Sequence, residues 1–276
     1  MKHSQLRLIP AALVVFAWTF IPIYHIIIMA ITPQSQSVAG AVFPNPPTLA
    51  NFVAVLTEDS DFVRYFWIQL GNSALVGIAT VAIVLALASV TSFAITRLKA
   101  RGGTLVNDLA LLTYVVPAAF LVVPLYEVIG RLDLMDTRVA LVMTMVTFTT
   151  PYAIWILNQA GGRLPFELDE AARIDGATGL QIFRYVYLPL LAPTLMAIGT
   201  YAMMMSWNEY LYALMILATP ARMTLPVGLN NFLNGDSAPW NLLMATGLIY
   251  AIPPVAIYYA CRRFLVLDLT SGAVKG

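Results

Sequence analysis

Glu167, Asp169, Glu170, Arg173, Asp175 and Arg184 crowd together in a chain that is 60% hydrophobic and only 11% charged. The chemistry open to them is limited. No G-x-x-x-x-G-K-[ST] run exists to cradle nucleotide phosphates, and the only lysines are Lys2, Lys99 and Lys275. His3 and His25 are too few and too far apart for a metal site. A lone Cys261 excludes an intrachain disulfide. Nucleophile–base pairs are missing as well, which argues against a membrane enzyme. What the cluster can do is present directional charges to another protein. A second polar group, Asn208, Glu209 and Tyr210, interrupts an apolar run. A third, Asn230, Asn231 and Asn234, lies in a proline-containing loop.

The elements that must position these residues are membrane spans. Soluble domains carry about 25% charged residues, so this chain could not cover a water-facing surface. Runs of about 20 apolar residues lie at 8–31, 72–96, 106–129, 138–158, 192–218 and 241–264. The runs are long and continuous, unlike the alternation of a β-barrel. The first is too long for the core of a signal peptide and reads as a retained anchor helix. With the N-terminus inside, Lys and Arg divide eleven to four in favour of the cytoplasmic segments. The expected fold is therefore an all-α integral membrane protein, one transmembrane domain over 1–276. It has six spans, cytoplasmic N- and C-termini, and a cytoplasmic loop at 159–191 between helices 4 and 5. Pro22, Pro117, Pro124, Pro151, Pro253 and Pro254 fall inside spans, as packing kinks or as bends along a pathway.

That loop carries its own helix signals. Pro165 suits a first helical turn, and Glu167, Asp169 and Glu170 suit the positive end of a helix dipole. Asp169 and Arg173 are an i, i+4 pair, and Gly176 can end the helix in a left-handed conformation. Thr178 and Gln181 form a candidate capping box for a second helix, with Leu180, Phe183, Tyr187 and Leu191 on one face. Ala171 and Ala172 leave the middle of the first helix nearly bare, so that a partner can approach closely. An amphipathic loop lying on the membrane is the alternative.

Glu170, Ala171, Ala172, Gly176, Val186, Leu188 and Pro189 resemble the EAA loop of ABC importer permeases, with Val186 where isoleucine is usual. SWNEYLYAL, LTSGAVKG, PTLANF and Asn72-Ser73 are similar to the carbohydrate, maltose-transporter type of inner-membrane subunit. The resemblance implies a bacterial inner-membrane sugar permease. It would pair with a second permease, two ATPase subunits and an extracytoplasmic sugar-binding protein. ATP and Mg²⁺ would be held by the ATPase partners, with no cofactor on this chain. Glu170, Ala171, Ala172, Arg173, Asp175, Gly176, Leu188 and Pro189 would couple to the ATPase. Ser271, Gly272 and Lys275 of the C-terminal tail would add a contact there, unless the tail is simply disordered.

Two sites stay open at this level. A charge at the depth of Glu209 costs about 2.5–3.5 kcal/mol on insertion scales, so Asn208, Glu209 and Tyr210 face a path or gate, or hydrogen-bond to the partner permease. The loop with Asn230, Asn231 and Asn234 is either an ordinary surface loop or a contact for the binding protein. An ion-coupled secondary transporter is the competing class. Glu209, His25, Asp108 and Glu127 would then supply coupling groups, but that class leaves the charged loop unexplained.

Overall fold

The computed structural model describes residues 2–34, 43–44, 46–233 and 238–271, with side chains omitted at 2–8, 111 and 263–271. All regular structure among the described residues is helical. The helices are α1 (Lys2–Ala30), α2 (Ala50–Leu56), α3 (Phe66–Thr96), α4 (Gly103–Leu112), α5 (Val122–Arg131), α6 (Arg138–Gly162), α7 (Glu167–Ile174), α8 (Gly179–Ile182), α9 (Leu188–Leu190), α10 (Ala192–Trp207), α11 (Leu211–Ile216), α12 (Leu225–Asn230) and α13 (Trp240–Ser271). The chain divides into two compact units, one of residues 1–70 and 225–252, the other of 71–224 and 253–276.

Four helices are long and apolar enough to cross a membrane: Ile9–Ala30, Phe66–Thr96, Arg138–Gly162 and Trp240–Arg262. Their apolar side chains point outward as well as inward. Val14, Trp18 and Ile21 on α1 and Ile78 and Val90 on α3 are exposed, as lipid-facing residues would be. Two further runs are bent pairs. Gly103–Val115 and Ala118–Arg131 meet at 90°, and Gly179–Leu190 and Ala192–Trp207 at 75°.

The apolar run 106–129 is therefore not one helix. Pro117 has no N–H to donate and disfavours helix at the residue before it. Val116 is accordingly extended (φ −86°, ψ 116°), and short 3₁₀ turns flank the break. Pro22, Pro151, Pro253 and Pro254 instead lie inside continuous helices. The run 192–218 is also interrupted, with α10 stopping at Trp207 and α11 starting at Leu211.

In the first unit, Ala30, Val55, Val63, Phe66, Leu225, Phe232, Leu242 and Ala245 form the core. Two buried asparagines satisfy carbonyls left over at the end of α1. Asn51 Nδ2 donates to Ala30 O and Thr32 O, both at 2.8 Å. Asn241 Nδ2 donates to Thr32 O at 2.6 Å. The segment after α11 is thus more than a surface loop, because it contributes Leu225, Val227 and Phe232 to the interior as α12 and a following 3₁₀ turn.

In the second unit the core is built from Val84, Ala88, Phe93, Ala153, Leu157, Ile182, Tyr187, Leu191, Ile198 and Ala202. Three of these, Ile182, Tyr187 and Leu191, come from the charged insert. The insert is therefore packed into the base of α3, α6 and α10.

Candidate functional site

The eight residues of α7 could not hold a helix alone, since isolated helices under about 12–15 residues are marginal in water. Its C-terminus is closed by a Schellman motif. Gly176 N donates to Arg173 O at 3.0 Å and Ala177 N to Ala172 O at 2.9 Å. Gly176 has φ +84°, the left-handed value its position calls for. Ala172 and Ala177, the residues that flank the turn, pack together on the core cluster.

The capping box follows as the spacing predicts. Thr178 N donates to Gln181 Oε1 at 2.7 Å, and Gln181 N to Thr178 Oγ1 at 3.4 Å. Beyond it, Phe183–Tyr187 forms a π-turn between α8 and α9. Tyr187 is buried, and its hydroxyl lies 2.9 Å from Ser92 Oγ and 3.1 Å from Thr96 Oγ1 at the end of α3. Its ring meets Phe93 edge-on at 5.1 Å. A Cβ on Gly161, near the end of α6, would collide with the Tyr187 hydroxyl. Gly161 is thus the opening through which that ring reaches α3.

The first turn of α7 is tied down by a charge pair. Arg97 Nε lies 3.6 Å from Asp169 Oδ2, with the side chains only 2% and 6% exposed. Arg97 Nη2 donates to Leu164 O at 3.1 Å. The guanidinium also lies over the Phe166 ring, 4.8 Å from its centroid. Asp169 therefore pairs with Arg97 rather than with Arg173, which is exposed.

These contacts divide the expected coupling residues into two sets. Glu170, Ala171, Arg173, Asp175, Gly176 and Pro189 are exposed. Ala172 and Leu188 are half-buried, Ala172 against the chain's own core. Alongside the exposed set, Ile174 is 86% exposed, an apolar side chain standing free among charges. Leu180 does not share the buried face either. It is 74% exposed and lines an open groove of about 350 Å³ with Val90, Phe93, Leu98 and Phe183.

Asn208, Glu209 and Tyr210 form the break between α10 and α11. Asn208 Nδ2 donates to Met204 O at 2.9 Å. Glu209 Oε1 accepts from Tyr212 N at 2.7 Å and so caps α11. Tyr212 then donates to Ala118 O at 2.6 Å, beside the Pro117 break. Tyr210 is half-buried.

A polar clamp holds the segment after α11. Asp136 accepts from Ala218 N at 2.9 Å, and from Thr219 N at 3.0 Å and Thr219 Oγ1 at 2.6 Å. Arg222 Nη1 reaches its carboxylate at 3.1 Å. The Thr219 hydroxyl first, and then the Thr219 amide, hold the Asp136 carboxyl down at about 2. Asn72 Nδ2 donates to Ala221 O at 3.0 Å and Met223 O at 2.8 Å, and Asn72 Oδ1 accepts from Arg138 Nη1 at 2.6 Å. Beyond the clamp, Asn230 is half-buried and Asn231 exposed. Asn234, Gly272 and Lys275 lie outside the described residues, and Ser271 is the last residue of α13.

Arg97, Asp169, Tyr187 and Asp136 are the residues that sequence reasoning missed as functional or structural pivots. Arg97 counted there only as a cytoplasmic charge. The usable signal was an arginine directly after an uncharged span, facing an acidic helix start. No group of three or more His, Cys, Asp or Glu among the described residues could hold a metal ion.

Comparison with known proteins fits this arrangement. Residues 88–270 match the family model described as "Binding-protein-dependent transport system inner membrane component". The inner membrane ABC transporter permease protein YcjP of Escherichia coli is 34% identical over 88% of this chain and 86% of its own. The trehalose transport system permease protein SugB of Mycobacterium tuberculosis is 32% identical over 95% and 94%. The arabinooligosaccharides transport system permease protein AraQ of Halalkalibacterium halodurans is 29% identical over 99% and 97%. A chain of the crystal structure of a bacterial ABC transporter importing the acidic polysaccharide alginate shares the fold. Its TM-score is 0.81 at 20% identity, over 95% of this chain and 98% of that one. With an EAA-type insert braced against its own spans and a family match that includes that insert, the chain belongs to the inner-membrane permease components of binding-protein-dependent ABC transport systems.

Proposed function

We propose that this chain is one of two permeases lining the translocation path of an ATP-driven importer of a sugar or oligosaccharide, and that it engages an ATPase subunit through α7. Relatives named for trehalose and arabinooligosaccharides support the substrate class. The whole chain serves as one permease domain. We take each bent pair as one span, six in all with the four long helices, and the excess of Lys and Arg supports cytoplasmic termini and a cytoplasmic insert.

The outward face of α7 offers Glu170, Arg173 and Asp175 for directional contacts. Ala171 lets a partner come close, and Ile174 supplies an apolar anchor. ATP and Mg²⁺ are bound and consumed on the ATPase partners. Their closure pushes α7, and α8, the π-turn and α9 carry the displacement to α10. Ser271, Gly272 and Lys275 contribute a contact to the same partner. Asn231 with Asn230 and Asn234 contacts the sugar-binding protein. Asn208 and Glu209 shape the break between α10 and α11 beside the path, their side chains being engaged within the chain.

The observation that carries the proposal is the division of α7 into a braced inner face and a free outer one bearing Ile174, 86% exposed. The test is a double substitution, Glu170→Arg with Ile174→Asp. ATPase co-purification should fall sharply while the partner permease is retained. ATPase recovery at the wild-type level would rule the docking face out.

A further inference from the structure

We propose that Arg97 is a positioning residue for the coupling insert, a buried latch that makes α7 and the end of α3 move as one body. The inference rests on α7 being the ATPase-docking helix. Asp169 is the one buried residue of α7, and an acidic side chain is almost never fully buried unless it is paired. Its partner follows directly on Thr96, the last residue of α3.

The Arg97 guanidinium touches four pieces of the insert and its surroundings. It sits 3.6 Å from Asp169 in the first turn of α7 and donates at 3.1 Å to Leu164 in the connection from α6. It covers the Phe166 ring at 4.8 Å, and it lies 5.8 Å from the centroid of Tyr187 in the π-turn. Lys99 closes over Phe166 as well, 5.0 Å from the ring centroid. Phe166, immediately before α7, is thus in contact with two cations from the strand of chain that follows α3.

A purely stabilising contact would be better made from apolar side chains, because a buried ion pair roughly cancels against its desolvation cost. Here Nε and Nη1 of Arg97 make no hydrogen bond, so the pair is not even saturated. What the pair supplies is direction. One planar, charged group fixes the distance and the angle between α3 and the start of α7, whereas the chain itself connects α7 forward only to α10. The latch ties the start of α7 itself to α3, ahead of the tie that Tyr187 makes to Ser92 and Thr96 further along the insert.

The test uses the full complex with its partner permease, ATPase subunits and binding protein. Spin labels are placed at Val90→Cys on α3 and Glu167→Cys on α7, both exposed positions, in a Cys261→Ser background. Distances are measured nucleotide-free and after trapping with ATP and vanadate. The latch predicts one narrow distance that is the same in both states. The neutral pair Arg97→Met with Asp169→Asn leaves no orphan charge, so it should still assemble, but the distance should broaden and differ between the two states. The same narrow distance in the neutral pair would overturn the latch. So would failure of that pair to assemble, which would make the contact a folding requirement only. The Glu170→Arg, Ile174→Asp chain serves as the separate control. If it retains its ATPase, the docking assignment itself falls, whatever the distances show.

Discussion

Replacing Gly176 with alanine would isolate a backbone effect from a packing effect. The residue sits at φ +84°, and a Cβ built there meets no heavy atom within 4 Å. The whole penalty is then the left-handed conformation, about 1–2 kcal/mol for a residue with a side chain. That strain loads directly on the two bonds that close α7, Gly176 N to Arg173 O and Ala177 N to Ala172 O. One to two kcal/mol corresponds to a change of roughly 5–30-fold in an opening equilibrium. Exchange of the amides at 176 and 177 should accelerate by about that factor, and ATPase-coupled uptake should fall with it.

The series has internal controls. Gly176→Asn should be milder than alanine, because asparagine is the next-best left-handed cap. Gly176→Val should be worse, since positive φ is a true outlier for a β-branched residue. Gly179 also has open space around it, but it begins α8 with no positive φ. Alanine there should leave exchange unchanged or slow it, by up to about 1 kcal/mol of helix propensity. Wild-type protection in Gly176→Ala, or an equal loss in Gly179→Ala, would refute the argument.

Two more outcomes are expected. Tyr187→Phe removes a hydroxyl shared with Ser92 and Thr96 in a buried site, so the purified complex should lose about 1–3 kcal/mol. A thermal unfolding midpoint equal to wild type would mean that the hydroxyl bonds contribute nothing. Asp136 has its carboxyl lowered to about 2 by the Thr219 hydroxyl and amide, below the ordinary 3.8 of the unfolded chain. Its stabilisation is therefore complete above about pH 4 and is lost as pH falls through about 2. Protection factors of the Ala218 and Thr219 amides should follow that fall in the wild type and be lower and flat in Asp136→Asn; a flat wild-type profile would contradict the clamp.

What could be read from the sequence was local. The glycine stop at Gly176 and the Thr178–Gln181 box depend on residues within one turn, and both occur where the spacing places them. The partner of Asp169 was not local. Arg173 was the nearest cation on the helix, but burial selects Arg97, contributed by a different helix end. The same limit applies to proline. Pro117 breaks its span while Pro22, Pro151, Pro253 and Pro254 do not, because the outcome depends on which neighbours satisfy the freed carbonyls. In the segment after α11, asparagines and prolines leave a surface loop and a binding-protein contact both open, and neither reading anticipates that Leu225, Val227 and Phe232 are buried there. A short apolar set with no clear period cannot announce whether a core exists to receive it.

The π-turn explains the remaining mismatch and bears on how the insert transmits force. An α-helix turns about 100° per residue, so a strictly α-helical insert would bring Leu180, Phe183, Tyr187 and Leu191 to one face. The buried residues are instead Ile182, Tyr187 and Leu191. Ile182 and Tyr187 are five apart, the spacing that an i→i+5 turn brings round to the same side. Phe183–Tyr187 is such a turn, and Leu180 is left in the open groove as a consequence. Straightening it to regular α-helix would swing Ile182 out of the core by more than a quarter turn. Re-exposing that side chain costs about 1.5–3 kcal/mol, and Tyr187 would still be held by Ser92 and Thr96. In the proposed docking, a push on α7 would therefore meet a core that resists unwinding of the linker, and the displacement would pass on to the spans that share that core.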